Sequence, residues 1–164
     1  MKPLASALRV YLDSFLSRGG YSIASAMQLR PYQPSDEFAV VALWHECGLI
    51  RPQNDPHKDI ARKLKGNPEL FLVADLHGRI VGTVMAGYEG HRGWINYLAV
   101  NPALQRGGLG RRLMDEAERL LQAAGCPKIN LQVRSDNTDV IAFYRRLGFR
   151  EDKVLSFGKR LVQD

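Results

Sequence analysis

The chain is poor in cysteine and in long apolar runs, and each scarcity closes off a class of protein. Two cysteines in 164 residues, Cys47 and Cys126, make neither a disulfide framework nor a metal-ligand spacing, so a reducing cytoplasm is the expected setting. His45 and Cys47 lie two apart on a predicted helix and face different ways, and no metal site is expected there. No stretch reaches the ~20 apolar residues of a membrane span, and no membrane partner is expected. Aromatics are 9% of the residues, and the arginines gather at one turn instead of alternating with rings, which argues against nucleic acid despite a net charge of +6. Internal repeats and low-complexity linkers are absent too. What is present suits one ordinary globular domain, with 45% hydrophobic and 24% charged residues.

The most informative stretch runs from Leu98 to Met114, an apolar strand passing through a Gly-rich turn directly into an amphipathic helix. Gly108 and Gly110 flank Leu109 where the helix should begin, so backbone N–H groups without intrahelical partners can converge on one ligand with no Cβ in the way. The positive end of the helix dipole, with Arg106, Arg111 and Arg112 beside it, favours a phosphate-bearing partner. Spacing separates three kinds of phosphate loop. A Walker-type loop needs Lys then Ser or Thr after its last glycine, whereas Gly110 is followed by Arg111-Arg112. A dinucleotide fingerprint needs a third small residue where Leu113 stands, and an acid that the next strand, Lys128 to Arg134, does not offer.

What remains, Gln105-x-x-Gly108-x-Gly110, resembles the acyl-coenzyme A (acyl-CoA) loop of the GNAT superfamily of N-acetyltransferases. A second block, Asn137-Thr138-Asp139-Val140-Ile141-Ala142-Phe143-Tyr144-Arg145-Arg146-Leu147-Gly148-Phe149, resembles the superfamily's Asn-x-x-Ala-x-x-Phe-Tyr-x-x-x-Gly-Phe element, with one extra residue between Asn137 and Ala142. The two blocks also stand in the family's order, and two ordered motifs are far more specific than one. A third stretch, Leu49-Ile50-Arg51-Pro52-Gln53-Asn54-Asp55-Pro56, looks like a Leu-x-Arg-Pro-x-Asn-Asp-Pro segment of a subgroup of small bacterial GNAT proteins. The resemblance spans roughly Gln28 to Asp164. It implies an α/β fold, a mixed and mostly antiparallel twisted sheet with helices on both faces. It also implies an enzyme that moves acetyl from acetyl-CoA, without a metal, to a primary amine of a small metabolite or peptide by direct attack in a ternary complex. Edge strands of such domains commonly pair, so a homodimer is a further expectation. The competing reading is a non-catalytic acyl-CoA-binding sensor or partner subunit.

Site residues follow with unequal support. If strand Gly93 to Val100 splays from strand Lys128 to Arg134, as the resemblance implies, backbone groups of Leu98, Ala99 and Val100 take the pantetheine arm like an added strand, and one N–H serves the oxyanion. Amides of Arg106, Gly107, Gly108, Leu109, Gly110 and Arg111 take the pyrophosphate, Gln105 braces the turn, and the family role of the block's Asn falls to Asn137 on the pantetheine arm. Tyr144 is the expected general acid, since a phenol of pKa ~10 holds a proton it can lend to a thiolate of pKa ~8.5; the plainer reading is a packed aromatic. Some relatives carry a Glu in a Leu-Glu-Val setting as base, and here the setting is Leu131-Gln132-Val133; Asn96 and Tyr97 offer no acid either. Glu89 or His91, in the turn after a strand, or a relayed water, are the remaining bases, with a surface turn as the alternative for His91. On the acceptor side, Arg51 can grip a carboxylate and Asn54 or Asp55 an amine, although Asp55 before Pro56 is equally a helix cap.

Residues 1–26 read as an N-terminal extension, a start placed too early or a tail, with a short amphipathic helix around Leu8, Leu12, Phe15 and Leu16 as an option; residues 27–164 read as one domain. Expected elements are a strand Gln28 to Tyr32, and a helix capped by Ser35 or Asp36 that carries Phe38, Val41, Leu43, Trp44 and Cys47 to Gly48. A helix Asp55 to Lys65 precedes strands Leu70 to Asp75, Arg79 to Tyr88 and Gly93 to Val100. A helix Leu109 to Ala124, the strand Lys128 to Arg134, the Tyr144 helix, and strands near Phe149 to Lys153 and Leu155 to Leu161 complete the expectation.

Overall fold

Phe71–Leu76 is buried at every position except Asp75, the pattern of a strand covered on both faces. In the computed structural model, which describes residues 26–164, this strand, β2, is second in a five-stranded sheet ordered β1-β2-β3-β4-β5. The others are β1 (Met27–Pro31), β3 (Arg79–Tyr88), β4 (Gly93–Val100) and β5 (Ile129–Leu131). The first three pairings are antiparallel, and β4 with β5 is parallel. Helices α1 (Glu37–Glu46) and α2 (Pro56–Leu64) cover one face, around Trp44, Ile60, Phe71, Val73 and Ala99. Helices α3 (Leu109–Ala123) and α4 (Thr138–Arg146) cover the other, around Leu72, Val84, Leu113, Met114, Leu121 and Tyr144. The mixed sheet with helices on both faces is the expected α/β architecture.

Local chemistry explains most boundaries. The Asp55 carboxylate accepts from the N–H groups of His57 (2.9 Å) and Lys58 (3.3 Å), so it caps α2 ahead of Pro56. His77 (φ 52°) and Gly78 (φ 79°) turn β2 into β3, helped by the Asp75 carboxylate, which accepts from Gly78 N at 2.6 Å. Gly82 lies where α3 crosses β3, and a Cβ there would stand 2.9 Å from Leu113 Cδ1. The start of α1 differs from expectation. A 3-10 turn, Pro34–Asp36, leads into it, and the Asp36 carboxylate faces Gln33 N (2.8 Å) and Arg30 Nη1 (2.7 Å), leaving the first N–H groups of α1 uncapped by it. Arg30 also reaches Asp75 at 3.0 Å, so one guanidinium ties β1, β2 and the entry to α1 together.

Other differences have physical reasons. Phe38, expected on the packed side of α1, is 87% exposed, and Val40 is buried instead, because the face toward the sheet is set by Val40, Val41, Leu43 and Trp44. Leu70 closes a 3-10 turn (Pro68–Leu70), which moves the start of β2 to Phe71. Strand β5 is three residues long where Lys128 to Arg134 was expected, since among the described residues its one neighbouring strand is β4 and their pairing ends at Ile95–Leu131. The two final strands do not form. After Phe149, which packs on Tyr144, residues 150–164 contain no strand: Leu155 and Phe157 alternate, but Gly158 and the adjacent pair Leu161-Val162 break any common face. The expectation for residues 1–25 lies outside the described residues.

Candidate active site

The turn before α3 is built to leave backbone donors open. Asn101 caps the short turn Pro102–Leu104, Arg106 sits at φ 63° and Gly108 at φ 85°, and the chain then enters α3 with no side chain capping it and no acid in its first turn. The first intrahelical bond beyond the cap runs from Arg112 N to Gly108 O (3.1 Å), so the amides just before it point out of the helix end without helical partners. Gln105 Nε2 donates to Val100 O at 3.1 Å and ties the turn to β4. A Cβ on Gly110 would stand 3.3 Å from the Phe143 ring, and Arg111 Nη2 donates to Arg146 O at 3.2 Å. The cradle and α4, which carries Tyr144, are therefore in contact.

Strand β4 changes character halfway. Asn96 pairs with Met85 and Ala99 with Thr83, so Tyr97 and Leu98 together oppose the single residue Val84, a β-bulge with Tyr97 at φ 49°. The extra residue reverses which way the side chains point: Ile95 packs in the α3-side core, while Tyr97 packs with Trp44 and Ala99 on the α1 side. Because β5 pairing stops at Ile95, the edge of β4 away from β3, from Asn96 to Val100, has no strand beside it among the described residues. This is the splayed opening, and it lies next to the cradle. Among the three residues expected to use it, the Val100 carbonyl is already engaged, by Gln105 and by Cys47 Sγ at 3.3 Å.

On the α1 side the bulge meets a cleft of about 560 Å³ lined by Leu49, Asn54, Asp59, Arg62, Lys63, Met85, Asn96 and Tyr97. The Tyr97 hydroxyl donates to Asp59 Oδ2 at 2.6 Å, and its ring stacks on Trp44 at 3.9 Å between centroids. Trp44 Nε1 donates to Thr83 Oγ1 (2.9 Å), which donates to Tyr97 O (2.8 Å), so a buried chain of bonds fixes the strained residue. Burial, then the Asp59 carboxylate, push the Tyr97 phenol well above its ordinary value. Lys63 Nζ donates to Ala86 O, and its half-burial lowers its pKa. Asp59, Arg62 and Lys63 recur at helical spacing on α2, with the half-buried Asp59 and Lys63 flanking the buried Ile60; in sequence that stripe reads as a solvated helix face. Nothing in the chain order signals that β4 faces it, so the sequence pattern does not mark Asp59 as a site residue.

The sequence-derived candidates divide. Tyr144 is buried, in edge contact with Phe143 and Phe149 at 5.1 and 5.5 Å, and burial pushes its phenol up to about 12. Asn137 caps α4, its Oδ1 accepting from Val140 N at 3.3 Å. Asn54 lines the cleft, Asp55 is used as the α2 cap, and Arg51 is absent from the cleft lining. The Glu89 carboxylate accepts from His91 N (2.7 Å) and Arg92 N (3.0 Å), which lowers its pKa and makes it the brace of the β3–β4 turn. That turn adjoins Gly93, where β4 and β5 are still paired, so Glu89 and His91 stand at the closed end of the strands, away from the bulge. Gln132 Nε2 is bonded to Ser156 Oγ. Among the described residues no group of three or more His, Cys, Asp or Glu could hold a metal ion, and no helix is long and apolar enough to cross a membrane.

Residues 33–149 match the Acetyltransferase (GNAT) family. The chain is 48% identical over 138 residues to Acetyltransferase YE1169 of Yersinia enterocolitica, covering 84% of this chain and 98% of that one. In structure it is similar to an aminoglycoside acetyltransferase from an uncultured soil metagenomic sample (TM-score 0.69, 21% identity, 86% of this chain and 100% of that one). It is also similar to the aminoglycoside N-acetyltransferase AAC(6')-Iy, solved in complex with CoA (TM-score 0.68, 17% identity, 83% and 95%).

Proposed function

The chain belongs to the acetyltransferase (GNAT) family and is an acetyltransferase, and we propose that it moves acetyl from acetyl-CoA to the primary amine of a small metabolite or peptide by direct attack in a ternary complex. The observation that carries this reading is the bulged half of β4, which puts an unpaired strand edge, the anion cradle and the Asp59–Tyr97 pair around one opening. A CoA-bearing fold relative supports the cofactor class. The glycines and outward amides of the turn fit a pyrophosphate: the first turn of α3 has no acid to repel it and no side chain that fills the cradle.

When bound, acetyl-CoA supplies the thioester carbonyl. Outward amides between Arg106 and Arg111 hold its phosphates, the free edge of β4 at Leu98 and Ala99 takes the pantetheine arm by backbone bonding, and Asn137 keeps its side-chain N–H groups for the same arm. A backbone N–H on that edge faces the acyl oxygen as charge develops there. Asp59 seats the acceptor's ammonium, which sheds its first proton to solvent to become a neutral amine, and takes the second proton as the carbon–nitrogen bond forms, while Tyr97 and Arg62 fix the carboxylate's direction. Tyr144, on the α3 side of the sheet, gives its proton to the sulfur as the carbon–sulfur bond breaks and the carbon–nitrogen bond forms. Both groups then exchange protons with water. Asp59 takes the place that Glu89 and His91 held in the sequence reading, and its carboxylate removes the main argument for a non-catalytic binding protein.

The test is release of free thiol from acetyl-CoA against amines, amino acids, polyamines and peptides, with calorimetric cofactor binding alongside. Thiol release with one class is the expected result. CoA binding without release from any amine would overturn acetyl transfer, and absence of binding would overturn the cradle.

A further inference from the structure

The position of residues 154–164 is not explained by burial. Val154, Leu155, Phe157, Leu161 and Val162 are 65–90% exposed, so no apolar packing holds the last segment down. Three polar contacts do. Ser156 meets Gln132 beside β5, Arg160 Nη2 donates to Asn54 Oδ1 at 3.1 Å, and the Asp164 carboxylate lies across both Nη atoms of Arg62, with Oδ2 at 2.9 Å from Nη1. Lys58 Nζ stands 3.8 Å from the same carboxylate. The Asp164 side chain is only 5% exposed. Two of the three contacts are to residues that line the acceptor cleft.

We propose that Arg62, with Lys58, is a carboxylate subsite of that cleft, that Asp164 fills it when no acceptor is bound, and that the acceptor is a carboxylate-bearing amine of the α-amino-acid class. The geometry is that of a split ion pair. Arg62 Nη1 also donates to Asp59 Oδ1 at 3.1 Å, so a cation with a bidentate face and an anion stand side by side at the cleft. A zwitterion whose ammonium and carboxylate are separated by one carbon matches both at once: its carboxylate replaces that of Asp164 on Arg62, and its nitrogen lands on Asp59. A simple amine meets only half of this arrangement and leaves the Arg62–Asp164 pair in place. The inference rests on the acetyl-transfer reading for the placement of the reacting nitrogen, but the subsite itself stands on the Arg62–Asp164 geometry.

Two measurements on the full-length chain separate the claims. The first is thiol release from acetyl-CoA with the common α-amino acids and with their carboxamides, for the wild type, Asp164→Asn and Arg62→Gln. The second is amide NMR of the wild type titrated with the same two sets of compounds. We expect kcat/KM about tenfold higher for the productive acids than for their amides, the worth of one charge-assisted pair. Asp164→Asn should lower KM for the acids several-fold and Arg62→Gln should erase the preference. In the spectra the acids, and not the amides, should move the Asp164 and Arg160 signals. Equal use of acids and amides would overturn the subsite and leave acetyl transfer standing. Signals at Asp164 that no amino acid moves would overturn it whatever the activity. Movement by acids alone, with no thiol released, would support the subsite and count against acetyl transfer.

Discussion

Tyr97 sits at a backbone angle that L residues rarely adopt, and its surroundings hold it there from three sides: the Trp44 ring, the Thr83 hydroxyl on its carbonyl and Asp59 on its phenol. Removing either end of the Tyr97–Asp59 bond should therefore cost the other its function. Asp59→Asn and Tyr97→Phe are each expected to lower kcat/KM, and the double variant to lose less than the sum, with a coupling of about 1–2 kcal/mol in a double-mutant cycle. Strictly additive losses would count against the pair acting as a unit. Tyr144 makes the opposite kind of prediction. Its ring is packed on Phe143 and Phe149, while its hydroxyl has no hydrogen bond among the described residues, so Tyr144→Phe should fold with an unchanged melting temperature. It should lose about tenfold or more in kcat, with the KM for acetyl-CoA little altered. Since burial pushes the phenol up to about 12, the wild-type kcat should not decline through loss of that proton below about pH 10.

At the level of elements, two close approaches hold the site's frame. Gly82 lets α3 lie directly on β3, and a methyl there would press on Leu113, Ala74 and the Ala99 carbonyl at 2.9 to 3.3 Å. Gly82→Ala should destabilise the fold by about 1–3 kcal/mol, read as a lower urea midpoint with an unchanged slope. Arg30 joins β1 and β2 to the entry of α1 through Asp36 and Asp75, and Asp36 is buried. Arg30→Ala leaves both carboxylates without their cation and should cost about 2 kcal/mol at pH 7, less than a fully buried pair because the three side chains retain some exposure. The pH dependence has a definite sign. Arg30 holds the Asp36 carboxyl below its ordinary value, so the stability that it contributes is complete above the ordinary carboxylate range and is lost as pH falls through the lowered pKa. The gap between wild type and variant should therefore be wide at pH 7 and much narrower at pH 3 in urea titrations.

Seen whole, the described residues form a sheet with one core on each face, and the proposed chemistry runs through the place where β4 and β5 part. Tyr144 belongs to the α3 side and Asp59 to the α2 side, so the proposed acid and base stand in opposite layers of the molecule. The terminal segment then passes from Gln132 across to α2 without burying its apolar side chains. Deleting residues 161–164 should consequently leave the melting temperature nearly unchanged, because Leu161 and Val162 are exposed and the Arg62 partner of Asp164 is itself half-exposed to solvent, where an ion pair contributes little to folding. A large drop in a thermal scan would mean the tail is part of the core.

Sequence by itself determined the elements whose chemistry is local. The cap at Asp55, the turn at His77-Gly78, the length of β3 and β4, and the outward amides before α3 all follow from residues within a few positions of one another, and two ordered motifs sufficed for the family. Packing alone decided the rest. The end of β5 depended on a partner strand, the failure of the last two strands on the lack of a shared face, and the exposure of Phe38 on which side of α1 met the sheet. Asp59 shows the difference most clearly: on α2 it is one charge in a polar stripe, and it becomes part of a site because a bulge 38 residues further on turns Tyr97 toward it. Register and bulges are set by contacts between distant segments, and a linear sequence does not state which segments those are.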